Sequence, residues 1–229
     1  FAADILAMDF EPIEPSFVEA DKDYRRITFA DGVELFYAPN PLNDLFTLSI
    51  GVDVGTEEND KLSLAAALMD VAGTASLSNE ELQKEWYRLG SSFNFGAGEN
   101  ASGFSLSGLD EQFEASLELM MSAIKQPTTD DETLEQLKSI LIKSRQDMKS
   151  SPPAIANALN LYNRYGEESP MLESLTTDEI RATQLDELLS LPSDLLDYEH
   201  TLAYTGSMPL EQVVEVLRRH HPLAGDLKQ

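Results

Sequence analysis

The stretch Leu62-Ser63-Leu64-Ala65-Ala66-Ala67-Leu68-Met69-Asp70-Val71-Ala72-Gly73-Thr74 decides how the rest of the chain is read. It is apolar and Ala-rich, with neither Pro nor Gly before Gly73. Leu64, Leu68 and Val71 stand at i, i+4 and i+7, which places them on one face of a helix. Gly73 is the expected C-terminal stop, since glycine takes the left-handed conformation without a steric penalty. The composition predicts a helix buried on most sides, the central helix of a domain.

Upstream, two alternating runs, Tyr24–Phe29 and Val33–Tyr37, flank Asp31-Gly32 and predict a hairpin. Asn40–Asp44 is a loop, and Leu45–Val54 a longer strand. Together these three strands predict the start of an antiparallel sheet. Residues 1–23 read as an acidic, Pro-punctuated linker, with Asp9-Phe10-Glu11-Pro12-Ile13-Glu14-Pro15 unable to form a helix.

Downstream, Ser78-Asn79-Glu80-Glu81 has the capping-box pattern for a helix through Leu82, Trp86 and Leu89 that Gly90 ends. Ser91–Gly98 and Gly103–Leu109 predict a second hairpin. Phe113, Leu117, Met121 and Ile124 form one helical stripe. Leu134, Leu137, Leu141 and Met148 form another, on a helix opened near Asp130 and stopped at Ser151-Pro152-Pro153. Ile155, Leu159 and Tyr162 share one side of a third helix, up to Tyr165. Short helices follow around Thr176–Ile180, Gln184–Leu188 and Ser193–Asp197. Tyr198–Gly206 reads as a last strand, and Ser207 and Pro209 open a final helix with Val213, Val214 and Leu217 inward. The fold class is α+β: a mostly antiparallel sheet of about five or six strands with helices packed on one face.

At 229 residues the chain has room for one or two domains and a sizeable core, and 42% hydrophobic residues is ordinary for a globular protein. Its mean hydropathy is −0.26. Lys+Arg number 16 against 41 Asp+Glu, a net charge of −25. Nucleic acid and anionic membrane surfaces need a basic face, so the charge argues against both as partners. It reads first as a solvated surface of an acidic or salt-adapted proteome, which favours solubility, and otherwise as a preference for basic partners or peptides. With no Cys there is no disulfide, Cys-ligated zinc or thiol nucleophile. No apolar run approaches the ~18 residues of a membrane span. The start Phe1-Ala2-Ala3-Asp4, without an initiator Met, reads as a piece cut from something longer.

The order of these elements carries a resemblance. A strand running into Val54-Gly55-Thr56, a short loop, a buried helix and then Gly73-Thr74 is similar to the pitrilysin/insulinase family of zinc metallopeptidases, which includes the mitochondrial processing peptidase subunits. Residues 89–109, LGSSFNFGAGENASGFSLSGL, and the strand, Gly206 turn and last helix resemble it as well, so that the resemblance runs from about Tyr24 to about Pro222. The resemblance implies a processing-peptidase-like metallohydrolase fold in a single domain over residues 24–229.

Active members carry H-x-x-E-H on the central helix, two His binding zinc and the Glu activating water. Counted back from Gly73-Thr74, those positions are Leu64, Ala65, Ala66, Ala67 and Leu68. The third ligand, a Glu shortly before a turn similar to Ser151-Pro152, falls on Lys143 or Ser144, with seventy-five residues between Leu68 and Ser144. None of these side chains is a zinc ligand. The resemblance therefore implies a non-catalytic domain, with no metal, cofactor or catalytic residue in this chain and zinc in a catalytic domain elsewhere. It implies a catalytic half or partner subunit of the same family as partner, unfolded or basic peptides as ligands, and a soluble protein of the periplasm or cytoplasm, the periplasm preferred. Segments such as Tyr165-Gly166 and Tyr198-Glu199-His200 suggest the first domain of the second half of a long bacterial member. The alternative is a structural subunit of a larger complex with no peptidase role. A third reading is an independent enzyme.

Other candidates are weaker. His220 and His221 are expected to be solvated at the end of the last helix, and His200 and Glu199, adjacent on a strand, face opposite ways and cannot share a metal. Gly96, Gly98 and Gly103 lack the spacing and following helix of a dinucleotide loop. Asn100-Ala101-Ser102 matches a glycosylation sequon by pattern only. No G-x-S-x-G elbow occurs. Trp86, Phe93, Phe95 and Phe104 are expected in the core.

Overall fold

The computed structural model describes Pro15, residues 17–221, Leu223 and residues 225–229. Most of the expected linker lies outside these residues. In chain order the elements are β1 (Arg25–Ala30), β2 (Val33–Pro39), β3 (Leu45–Val52), α1 (Leu62–Met69), β4 (Gly73–Thr74) and α2 (Asn79–Leu89). Then come β5 (Ser92–Ala97), β6 (Ser102–Leu109), α3 (Phe113–Lys125), β7 (Pro127–Thr128), α4 (Asp131–Met148) and α5 (Pro152–Tyr165). The chain closes with α6 (Pro170–Glu173), α7 (Thr177–Ala182), α8 (Leu185–Asp194), β8 (His200–Gly206) and α9 (Leu210–His220).

Six strands form one sheet in the order β1-β2-β8-β3-β6-β5. Both predicted hairpins are present and antiparallel. In the first, Gly32 takes φ 73°, and the register shifts between Thr28 and Ala30, a bulge beside the turn. The three strands expected to start the sheet are all in it, but they are not consecutive. The last strand, β8, separates β2 from β3, running parallel to β2 and antiparallel to β3. The parallel pair is possible because the chain between the two strands supplies the long crossover that parallel pairing requires.

Alternation fixes which face is covered. Phe46, Leu48, Ile50 and Val52 of β3 are buried, as are Val33 and Leu35 of β2, Phe104 and Leu106 of β6, and Leu202 and Tyr204 of β8. Residues between them are exposed or half-buried, so the helices cover one face only. Against that face α3 lays its whole predicted stripe, Phe113, Leu117, Met121 and Ile124. Phe113 meets Phe46 and Tyr204 edge-on, at centroid distances of 4.9 and 5.0 Å. Each such side chain contributes about 1.5–3 kcal/mol by leaving water.

One carboxylate is buried at the end of the sheet. Asp110 accepts hydrogen bonds from the Tyr204 hydroxyl and the Ser207 N–H, both at 3.0 Å, and so holds the turn from β8 towards α9. The Tyr204 hydroxyl is pushed well above its ordinary pKa, first by burial and then by its bond to Asp110.

The helix ends follow their sequence signals in most places. Ser78 and Glu81 form the reciprocal capping box of α2, and Gly90 closes it at φ 61°. Asp130 accepts from the Thr133 N–H at 2.8 Å to open α4. Four expectations are corrected. α1 ends at Met69 with Asp70 still right-handed, leaving Val71 exposed. Gly73 is not a helix stop: it pairs with Thr128 in a two-strand ribbon, and a Cβ there would overlap the Leu77 carbonyl. The helices expected at Gln184–Leu188 and Ser193–Asp197 are one helix, α8, with Pro192 inside it, followed by a 3-10 turn at Leu195–Asp197. In α9 the buried residues are Val213, Val216 and Leu217, with Val214 half-buried.

Candidate functional site

The residues expected at the motif positions belong to two helices that touch, α1 and α4. Leu64 and Leu68 are 2% and 1% exposed and sit in the core, with Ala67 half-buried between them. Lys143 and Ser144 lie exposed on α4. The Lys61–Glu187 ion pair ties the start of α1 to α8. A hydrocarbon side chain has no lone pair for a metal and no proton to exchange, and an ammonium group at Lys143 would repel a dication. The donor set does not fit zinc. Among the described residues no group of three or more His, Asp or Glu is arranged to hold a metal ion.

Beside α1 the sheet ends in β5, whose outer edge pairs with no strand among the described residues. A cavity of about 250 Å3 lies between this edge, the C-terminal end of α1 and α2. Asp70, Gln83 and Trp86 line it together with Ser92–Phe95. Trp86 and Phe93 stack at 5.8 Å, and Phe95 stacks on Phe104 at 4.7 Å, so the four aromatic residues join the core as expected.

His221 overturns its expected exposure, and it does so against His200. His200 and His221 are 5% and 2% exposed, with their Nε2 atoms 2.8 Å apart. The Nδ1 of His200 lies 2.7 Å from the Tyr198 carbonyl, which only accepts, so that nitrogen carries the proton. Nε2 of His200 must then accept from Nε2–H of His221, and Nδ1 of His221 is left as an acceptor with no partner among the described residues. Burial holds both imidazoles neutral and pushes His221 down to about 3. His220 is half-buried and 3.1 Å from Glu114, whose carboxyl is held below the usual range, mainly by that contact. The pairing joins residues 21 positions apart, and no local pattern announces it.

A second concavity lies outside the core. α5 has the predicted stripe of Ile155, Leu159 and Tyr162, but none of its residues is buried. With Met148, Met171 and Leu172, the stripe lines a mostly apolar groove of about 790 Å3. Sequence periodicity identified the stripe but not its missing cover.

No family model matches the sequence, and no curated protein matches it. Solved structures do. A peptidase M16 inactive domain from Pseudomonas fluorescens superposes with a TM-score of 0.72 at 16% identity, over 90% of this chain and 53% of that one. A protease from Helicobacter pylori gives 0.67 at 15%, over 90% and 51%. The periplasmic protease PqqL from Escherichia coli gives 0.72 at 16%, over 97% and 27%. The chain thus spans about half the length of the first two structures and about a quarter of the third. At such identities it is the fold that is shared, and the chain has the fold of M16, or pitrilysin/insulinase, peptidase domains, as its sequence resemblance implied.

Proposed function

We propose that the chain is a non-catalytic domain of an M16-type zinc peptidase, forming part of the wall of a peptide chamber and supporting a catalytic half carried elsewhere. The observation that carries this reading is the pair Leu64 and Leu68: at the positions that the sequence resemblance assigns to the zinc motif stand two core side chains. The domain covers residues 24–229, with residues 1–23 as the linker into it. Zinc belongs to the catalytic domain, and no chemical step passes through this chain.

The companion half is the proposed occupant of the apolar groove beside α5. The structures that share the fold at about half their length have a further portion of similar size. Exposed stripes of this kind mark association surfaces. Peptides are proposed to lie along the free edge of β5, where unpaired backbone groups align an extended chain. The net charge of −25 favours basic ones. The periplasm is the proposed compartment, in line with the periplasmic protease that shares the fold. No helix among the described residues is long and apolar enough to cross a membrane.

The test is metal content and peptidase activity of this chain, alone and mixed with the polypeptide encoded upstream. The reading expects no bound zinc and no cleavage alone, activity raised by the upstream piece, and loss of that association on Leu159→Glu. Stoichiometric zinc or chelator-sensitive cleavage by the isolated chain overturns it. Stable association with no peptidase activity in the complex would favour the structural-subunit alternative.

A further inference from the structure

The cavity beside β5 has features that the wall reading does not require. Four successive residues of β5, Ser92 to Phe95, line it. The outer edge of β5 pairs with no strand among the described residues, so an added strand would lie beside the cavity. At about 250 Å3 it is smaller than the ~300–1,000 Å3 of pockets for free small molecules, and suits a single side chain.

Its electrostatics have one sign. Asp70 is the only charged residue lining it, and no Lys or Arg lines it. Asp70 is also the C-cap of α1, a helix with no basic residue in its last turn, so the negative end of the helix dipole is uncompensated there. Trp86 and Phe93 add two stacked aromatic rings, and the indole is the best aromatic partner for a cation. Gln83 adds a side-chain amide. A carboxylate, a helix C-terminus and aromatic rings around a side-chain-sized space all favour a cation with an apolar stem.

We infer that the cavity between the end of α1, α2 and the edge of β5 is a recognition pocket for a lysine or arginine side chain of a peptide extended along β5. This rests on the reading of the chain as a peptide-facing wall. The chain carries its own reporter, since Trp86 is its sole tryptophan.

The experiment titrates blocked pentapeptides, Val-Thr-X-Thr-Val with X as lysine, arginine, norleucine or glutamate, and follows Trp86 emission and the backbone amide resonances of β5. The lysine and arginine peptides should bind at least fivefold more tightly than the norleucine peptide, and the glutamate peptide least. Asp70→Asn, at an exposed position, should keep the fold by circular dichroism and erase the preference. Equal affinity for lysine and norleucine, or a preference that survives Asp70→Asn, overturns the inference while leaving peptide binding along β5 intact. N-acetyl-lysine methylamide separates the two readings from the other side. If it shifts Trp86 emission in an Asp70-dependent way and no pentapeptide binds more tightly than it does, the pocket stands and the wall reading fails. Silence from every probe in both observables overturns both.

Discussion

α3 and α5 carry the same kind of signal and meet opposite fates. Each has apolar residues every three or four positions. In α3 the stripe of Phe113, Leu117, Met121 and Ile124 is at most 4% exposed, packed between the sheet and its neighbouring helices. In α5, Ile155, Leu159 and Tyr162 are 43%, 65% and 50% exposed. The local structure of α5 is nonetheless well specified, with Pro152 and Pro153 in its first turn and Gly166 at φ 63° after its end. An amphipathic pattern states which side of a helix prefers an apolar partner, and says nothing about who the partner is. Where this chain supplies the partner, the stripe is core; where the described residues do not, the stripe stays exposed.

The comparison is sharpened most by a pair of truncations. Phe113→Ala should cost about 3–5 kcal/mol in urea unfolding, since nothing can refill a site between Phe46 and Tyr204. A cost near 1 kcal/mol would mean that α3 is far less tightly packed than its burial indicates. Asp110→Ala removes the acceptor of both Tyr204 and Ser207, and should cost about 2 kcal/mol by the same measurement. Tyr204→Phe made on top of it should cost little more, because its hydroxyl has already lost its partner.

The His200–His221 pair gives the core a pH dependence that the groove lacks. The folded pKa of His221 lies below its unfolded value of 6.5, so the unfolded chain binds protons first. Stability is full above about 6.5 and is lost as pH falls from there towards about 3. At pH 5 the deficit from one such imidazole is about 2 kcal/mol. Carboxylates held low, such as Glu81 and Glu179, act in the same direction but only nearer pH 4 and below. Unfolding midpoints between pH 7 and pH 5 therefore isolate the pair, and His221→Leu should flatten that slope. A slope unchanged in His221→Leu would remove the pair as its cause. The smallest effect is expected at the uncovered stripe, where Leu159→Ala should change the stability of the isolated chain by less than about 0.5 kcal/mol. A larger loss would mean that the groove is already closed by this chain itself.

These differences show what could be read locally. Ser78 with Glu81, Gly90, Asp130 and the Asp31-Gly32 turn act through hydrogen bonds or dihedral angles of their immediate neighbours, and each was legible in the sequence. The end of α1 is ambiguous in the sequence because Gly73 can serve two purposes. Its sequence context suits a left-handed stop, but the structure uses the missing side chain for close approach to the Leu77 carbonyl. Only the packing around a glycine tells these uses apart. The pocket beside β5 was invisible for a similar reason: Asp70, Trp86 and Phe93 come together through the meeting of α1, α2 and a sheet edge.

By itself the sequence determined the six strands of the main sheet, the apolar stripes, the caps, the acidic surface and the absence of ligand side chains at Leu64, Ala67 and Leu68. All are properties of single residues or of neighbours within a few positions. The tertiary structure alone decided that β8 lies between β2 and β3, that His200 and His221 are buried against each other, and that the stripe of α5 stays uncovered. Each of these joins, or fails to join, surfaces far apart in the chain. Hydrophobic burial is non-directional and carries no local record of which distant surface will provide it.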